Sequence, residues 1–242
     1  MKTGELFRLQ LDAWGVSLPA GALDLLHDYS GLLSSYDKAS VIGTKDPDRV
    51  MLDHVLDSLG CLLFPPVVKA GGIADVGSGG GLPGLPLAIA LPDTSFTLFE
   101  ATGKKAAFLR YAVESLDLTG VEIVNARVEQ AAHDARLRAS HEICTVRAVA
   151  KLSVLAEYCL PLLKVGGQIV AMKGDMSDEE YGEGERAASL LGGRLLQVVE
   201  VPLLPEMEQK TRLLVVLEKT ADTPAICPRR VGLPAKSPLG RE

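Results

Sequence analysis

Apolar residues recur in two rhythms along the chain, and the change falls near residue 70. From Ala20 to Tyr36, the residues Leu23, Leu26, Tyr29, Leu33 and Tyr36 return at spacings of three and four. That spacing predicts a helix with one apolar face. Asp46-Pro47-Asp48 reads as a second helix start, a capping acid followed by proline at the first helical position. The face Val50, Val55, Leu59 and Leu62 follows, and Pro65-Pro66 is expected to stop it. Residues 1–70 are therefore expected to form a helical cap on the remainder of the chain.

From Gly72 the pattern becomes short apolar runs alternating with helical stretches. Strands are predicted at Ile73–Val76, Phe96–Glu100, Val121–Asn125, Ile143–Val146 and Gln168–Met172. Between them lie predicted helices at Leu85–Leu91, Lys104–Leu116, Val128–Arg138 and Leu152–Leu163. This alternation implies an α/β fold, a mostly parallel sheet with helices on both faces, over residues 71–222. A helix near Asp178–Leu191 is followed by two apolar segments, Leu195–Leu203 and Leu213–Leu217. The polar stretch Glu206–Lys210 separates them, a spacing that suits a closing antiparallel pair. Residues 223–242 hold four prolines and little periodicity, so an extended tail is expected.

The candidate chemistry gathers at the first strand. Ile73-Ala74-Asp75-Val76 runs into five glycines between Gly77 and Gly84. Such a turn lets a ligand approach the backbone. Free N–H groups of the loop and of the following helix would favour a negative or oxygen-rich group. Gly79-x-Gly81-x-x-Gly84 satisfies the dinucleotide pattern formally. Two residues point instead to S-adenosylmethionine. Asp75 stands in the strand before the first glycine, where an acid fixes the loop and helps to hold the methionine part of that cofactor. Pro83 interrupts the turn where a dinucleotide-binding helix would begin.

Glu100, twenty-three residues after Gly77, ends the second strand and can accept hydrogen bonds from ribose hydroxyls. Asn125-Ala126-Arg127-Val128-Glu129 follows the third strand, where a backbone N–H and a carboxylate can read an adenine edge. Arg147 and Lys173 end the next two strands, facing the crevice where ligands bind in open α/β sheets. His27, His54, His133 and His141 are scattered without metal or triad spacing, and His54 reads as structural.

Composition narrows the classes. A chain of 242 residues, 47% hydrophobic, suits one sizeable domain with an appendage. No apolar run reaches membrane-spanning length. The opening segment is broken by Glu5, Arg8 and Asp12, so no signal peptide is expected and the protein is placed in the cytoplasm. Cys61, Cys144, Cys159 and Cys227 lack metal spacing and read as buried thiols, so no metal is expected. The net charge of −6 argues against broad nucleic-acid binding. A local basic patch remains, because Arg229, Arg230, Lys236 and Arg241 stand against only Glu242 in the tail.

Asp75-Val-Gly-Ser-Gly-Gly-Gly-Leu-Pro-Gly-Leu-Pro-Leu-Ala resembles the first motif of the RsmG (GidB) small-subunit ribosomal RNA methyltransferases. His54 with Leu56-Asp57-Ser58, Gly103-Lys104-Lys105 with Phe108-Leu109, and Arg127-Val128-Glu129 match as well. So do Arg147-Ala148-Val149-Ala150, Leu163-Lys164-Val165-Gly166-Gly167 and the ending Pro228-Arg229-Arg230-Val231-Gly232-Leu233-Pro234-Ala235-Lys236. The resemblance departs from the family at Ser40-Val41-Ile42, usually Asn-Leu-Thr, and at Asp53, usually basic. It implies a class I, Rossmann-like methyltransferase fold. It also implies methyl transfer from S-adenosylmethionine to N7 of one guanosine in 16S rRNA, with the RNA or the small ribosomal subunit as partner. By the same likeness Gly77, Leu82, Val128, Glu129 and Arg147 contact the cofactor, and Glu100, Ala101 and Thr102 line its ribose. Lys173, Arg229, Arg230 and Lys236 are expected at the RNA. The rivals are a small-molecule methyltransferase, a nucleotide-dependent oxidoreductase and an inert cofactor-binding RNA module. A small-molecule enzyme has no use for the tail, so deletion of 224–242 would leave it active.

Overall fold

The computed structural model describes residues 2–207 and 211–241. The polar stretch between the last two strands therefore lies partly outside the described residues. The chain begins with α1 (Thr3–Trp14) and α2 (Ala22–Ser35). One helical run follows, made of α3 (Pro47–Arg49), a π-helical segment Val50–Leu56, α4 (Asp57–Leu59) and a 3-10 turn Gly60–Leu63. Asp46 caps α3 through its side chain, which accepts from the N–H groups of Asp48 and Arg49. Phe64 is extended, and Pro65-Pro66 both ends this run and opens α5 (Pro65–Lys69).

The sheet then alternates with helices: β1 (Gly72–Val76), α6 (Gly84–Ala90), β2 (Ser95–Phe99), α7 (Gly103–Ser115), β3 (Val121–Val124), α8 (Val128–Ala131) and β4 (His141–Arg147). After α9 (Leu152–Cys159) come β5 (Leu163–Lys173), α10 (Asp178–Leu190), β6 (Gly193–Glu200), β7 (Leu213–Lys219) and α11 (Leu233–Lys236). The strand order is β3-β2-β1-β4-β5-β7-β6, parallel up to β5, with β7 antiparallel to both neighbours. The order reverses between β1 and β4, so the ends of those strands open a crevice.

Strand alternation divides the interior in two. Ile73, Phe96, Ile143, Val170 and Val216 pack with Phe7, Leu26, Leu33, Leu56 and Phe108 on the cap side. Ala74, Val76, Cys144, Ile169 and Val215 pack with Leu155, Leu160 and Ala187 on the other. The cap has no separate core, since its apolar faces share one cluster with the sheet. All four cysteines are buried free thiols.

Several boundaries differ from the periodicity. The helix expected over Val128–Arg138 stops at Ala131, because residues 132–138 turn back and Arg138 donates to the carbonyls of Thr223 and Cys227. Pro161 converts the end of the expected Leu152–Leu163 helix into a 3-10 turn, and β5 begins earlier, at Leu163. β6 ends at Glu200 instead of Leu203. The apolar residues beyond it receive α1: Trp14 Nε1 and Gln10 Nε2 donate to Pro202 O at 2.6 and 3.1 Å. The tail is not a free extended arm, as it carries α11 and packs on the face that holds α9.

Two glycines in α10 behave oppositely. A Cβ on Gly184 would meet Leu152 Cδ2 at 2.5 Å, whereas one on Gly182 would meet the flexible end of Arg186 at 3.3 Å. Gly184→Ala is expected to destabilise the protein by about 1–3 kcal/mol. Gly182→Ala is expected to stabilise it by about 0.5–1 kcal/mol. Thermal or denaturant unfolding of the two variants checks the opposed signs.

Candidate active site

Asp75 sits on the cap-side face of β1, where an apolar side chain would be expected, and is fully buried. Its Oδ1 accepts from the Thr145 hydroxyl at 3.0 Å, and Oδ2 accepts from the Gly84 N–H at 3.3 Å. Burial pushes its pKa up to about 6, against the lowering effect of hydrogen bonding by Ser78, Thr145 and Gly84 and of Arg147. Gly84 must lack a side chain, since a Cβ there would lie 2.8 Å from Asp75 Oδ2. Gly77, Gly79 and Gly81 all take positive φ, and the Leu82–Pro83 peptide is cis. Tyr29 of α2 donates to Gly80 O at 2.6 Å, tying the cap to the loop.

Most of the loop's donors are used within the chain. Gly77 and Ser78 donate to Phe99 O, Gly81 and Leu82 to Ser78 O, and Gly84 to Asp75. Gly79 donates to Glu100 Oε2 at 2.9 Å, and Thr102 donates to Glu100 Oε1 at 2.6 Å. The expected cradle of free N–H groups is therefore not what the loop presents. That bears on the ligand, because a pyrophosphate needs many such donors and a nucleoside sulfonium needs fewer.

Beside the loop lies a cavity of about 280 Å³, near the small end for ligand sites. Gly77 just after β1, Phe99 and Ala101 at the end of β2, and Val128 and Glu129 of α8 form much of its wall. Thus Gly77, Ala101, Val128 and Glu129 meet in one place. Glu100, Gly79 and Thr102 brace its edge through the two hydrogen bonds above. Asp75 lies beneath the loop with no exposed surface, and Leu82 packs against the cap-side core. Apolar faces for a flat ring, a Cβ-free approach at Gly77 and two carboxylates, Glu100 and Glu129, suit an adenosine moiety.

Among the wall residues that the sequence reading did not single out as cofactor contacts are Phe99, Val149, Tyr158 and Ala235. Tyr158 looked like one more apolar position of a helix. Its hydroxyl is pushed up to about 12 by burial and by the Glu129 carboxylate. Ala235 lay in a segment read as an RNA arm.

Arg147 faces a second cavity of about 240 Å³, which Asp57, Met172, Lys173, Arg212 and Leu214 also line. Its guanidinium is gripped by the cap. It donates to the carbonyls of Asp53 and His54 at 3.2 and 3.1 Å and to His54 Nδ1 at 2.7 Å. It also pairs with Asp57 Oδ2 at 3.2 Å, while Arg212 holds Asp57 Oδ1 at 2.7 Å. Because arginine only donates, the contact requires His54 Nδ1 unprotonated. Burial, then Arg147, lowers the pKa of His54 accordingly. Lys173 is engaged by Glu180 and by Ala150 O, both at 2.7 Å. Arg229 is likewise paired, with buried Glu157, whereas Arg230 and Lys236 are exposed. The Asp53 side chain, at the position that departs from the expected pattern, pairs with Arg49 at the surface.

Among the described residues no group of three or more His, Cys, Asp or Glu is arranged to hold a metal ion, and no helix is long and apolar enough to cross a membrane.

The raised pKa of Asp75 has a pH consequence. Its folded value lies above the unfolded 3.8, so its contribution to stability is present below pH 3.8 and is lost as pH rises through about 6. Asp75→Asn keeps one acceptor for Gly84 and can donate to Thr145. Its stability relative to the unsubstituted chain is expected to improve by about 2–3 kcal/mol from about pH 4 to about pH 7. Urea unfolding at both pH values checks this, and a pH-independent difference contradicts it.

Comparison with known proteins agrees with this geometry. The M. jannaschii TYW2 structure in complex with AdoMet superposes with a TM-score of 0.50 at 15% identity, over 64% of this chain and 73% of that one. StiE O-MT gives a TM-score of 0.51 at 12% identity, over 70% and 76%. These likenesses show a methyltransferase fold of the Rossmann-like, class I type. A protein of Rubrobacter xylanophilus named ribosomal RNA small subunit methyltransferase G is 58% identical over 97% of this chain and 90% of its own length. One of the same name from Roseiflexus sp. is 40% identical over 94% and 96%. The family model described as GidB, rRNA small subunit methyltransferase G, matches residues 23–208. The chain belongs to the ribosomal RNA small subunit methyltransferase G family.

Proposed function

We propose that this chain transfers a methyl group from S-adenosylmethionine to N7 of one guanosine in 16S rRNA, on free RNA or on the small ribosomal subunit. The observation that carries the reading is the division of the site by residues 147–150. Val149 and Ala150 wall the nucleoside-sized cavity, while Arg147 and Ala148 wall the neighbouring one. A cofactor and a target base can therefore occupy adjoining spaces at the ends of β1, β4 and β5. The glycine loop spends most of its N–H groups on the chain itself, which supports a cofactor without phosphates over a dinucleotide.

Gly77, Ala101, Val128 and Glu129 would hold the adenosine, with Glu100 at the ribose. S-adenosylmethionine, when bound, supplies an electrophilic methyl group. Guanine N7 has a lone pair and carries no proton, so the protein needs no general base. The groups at the second cavity fit that demand, since Asp57, Lys173 and Arg147 are ion-paired and His54 is locked against Arg147. Their work is to shape the cavity, orient the base and exclude water. The RNA major groove is too deep and narrow for side chains, so the guanosine enters unpaired or splayed out. Arg230 and Lys236, exposed on the docked tail, are the tail cations placed to meet phosphates. A ribosomal substrate puts the reaction in the cytoplasm.

Labelled methyl is expected to pass to 16S rRNA from cells lacking the modification, and strand cleavage specific for N7-methylguanosine is expected to map it to one nucleotide. Label on another base, or none, would sink the proposal. Glu100→Ala is expected to weaken S-adenosylmethionine binding about tenfold or more by calorimetry, because the cofactor loses a charged acceptor. Unchanged affinity would remove Glu100 from the ribose.

A further inference from the structure

The ending Pro228 to Lys236 is basic, yet its first arginine is not offered to solvent. Glu157 of α9 is fully buried, and its carboxylate is matched by Arg229 alone among the described ion pairs. Arg229 Nε donates to Oε1 at 2.9 Å, Nη2 donates to Oε2 at 2.7 Å, and the Arg229 N–H donates to Oε1 at 2.8 Å. The same Nη2 reaches Ser237 O at 2.8 Å, so one guanidinium closes both ends of the segment that carries α11. Planar, two-point contacts of this kind fix orientation as well as distance.

The segment so fixed reaches the cofactor cavity. Gly232 N–H donates to Glu129 Oε1 at 3.0 Å. Buried Pro234 anchors α11, and Ala235 forms part of the cavity wall with Glu129 and Tyr158. Tyr158 directly follows Glu157 in α9. A connected path thus runs from Glu157 through Arg229 and Gly232 to Glu129 and the cavity.

We propose that Arg229 is a positioning residue for the cofactor: by clamping residues 229–236 to Glu157 it sets the Glu129 carboxylate and the Ala235 wall, so docking of the tail and occupation of the nucleoside cavity favour each other. This rests on the cavity being the S-adenosylmethionine site. The linkage is reciprocal, since a ligand that touches the docked segment stabilises the docking by the same factor that docking strengthens binding.

Two full-length variants test it. Arg229→Lys keeps a charge beside Glu157 and removes the fork. Glu157→Gln combined with Arg229→Gln leaves no buried charge unpaired, which guards against simple unfolding. Each is expected to raise KM for S-adenosylmethionine about tenfold in methyl transfer to small subunits, with kcat at saturating cofactor within about threefold of the unsubstituted chain. The salt dependence of RNA binding is expected to stay unchanged. In the unsubstituted chain, saturating S-adenosylhomocysteine is expected to slow hydrogen exchange at amides 229–236. An unchanged KM, a loss confined to kcat, or exchange indifferent to the ligand overturns the proposal. A salt slope reduced by about one counterion would assign Arg229 to phosphate instead. Failure of the unsubstituted chain to bind S-adenosylmethionine at all is a different result, and overturns the reading of the cavity.

Discussion

A buried carboxylate, held by hydroxyl and backbone N–H donors, organises this molecule. Asp75 joins three elements at a point where none touches solvent: its own strand β1, Thr145 of β4 and the first N–H of α6. The cost of burying it is visible in its raised pKa, and the hydrogen bonds offset part of that cost. The return is geometric. With α6 pinned at Gly84, the chain from Gly77 to Pro83 has to turn tightly, through glycines at positive φ. The loop then folds its own N–H groups onto Phe99, Ser78 and Glu100. What it offers a ligand is close approach and shape, with little charge.

The two appendages complete the site that the sheet begins. The cap supplies Tyr29 to Gly80 and the carbonyls of the π-helical segment to Arg147. Wider helical turns often mark functional positions, and here the segment turns its carbonyls onto the end of β4. The tail supplies Gly232 to Glu129 and Ala235 to the cavity wall. Both are walls of one site as much as surfaces for a partner. Truncation of 224–242 consequently cannot separate an RNA enzyme from a small-molecule one, because it would strip Glu157 of its counter-charge and open the cavity beside Glu129 in either case.

The parts of the fold read directly from the chain are those whose cause is local. The strand–helix rhythm, the glycine loop and the Asp46-Pro47 helix start each depend on neighbours a few residues away. Glu100 and Val128-Glu129 could be placed because strand ends in a parallel sheet fall on one edge. The rest depends on partners distant in sequence. Nothing near Arg229 distinguishes a paired arginine from a free one, since Glu157 lies 72 residues away. Arg147 looked like a crevice cation, and its grip on Asp53 and His54 spans more than 90 residues. The early end of α8 follows from Arg138 reaching the tail. Tyr158 could not be told from a core aromatic by periodicity alone.

On the proposed function, the cavity between β1, β2 and α8 takes the adenosine of S-adenosylmethionine, whose reactive end opens toward the Arg147 cavity. A crystal structure of the full chain with S-adenosylhomocysteine tests this most directly. Adenine is expected among Phe99, Val128 and Tyr158, with the ribose hydroxyls on Glu100, the sulfur beside residues 147–150, and an ordered tail with Arg229 still on Glu157. A ligand bound elsewhere, or one in this cavity with its ribose turned away from Glu100, would contradict it.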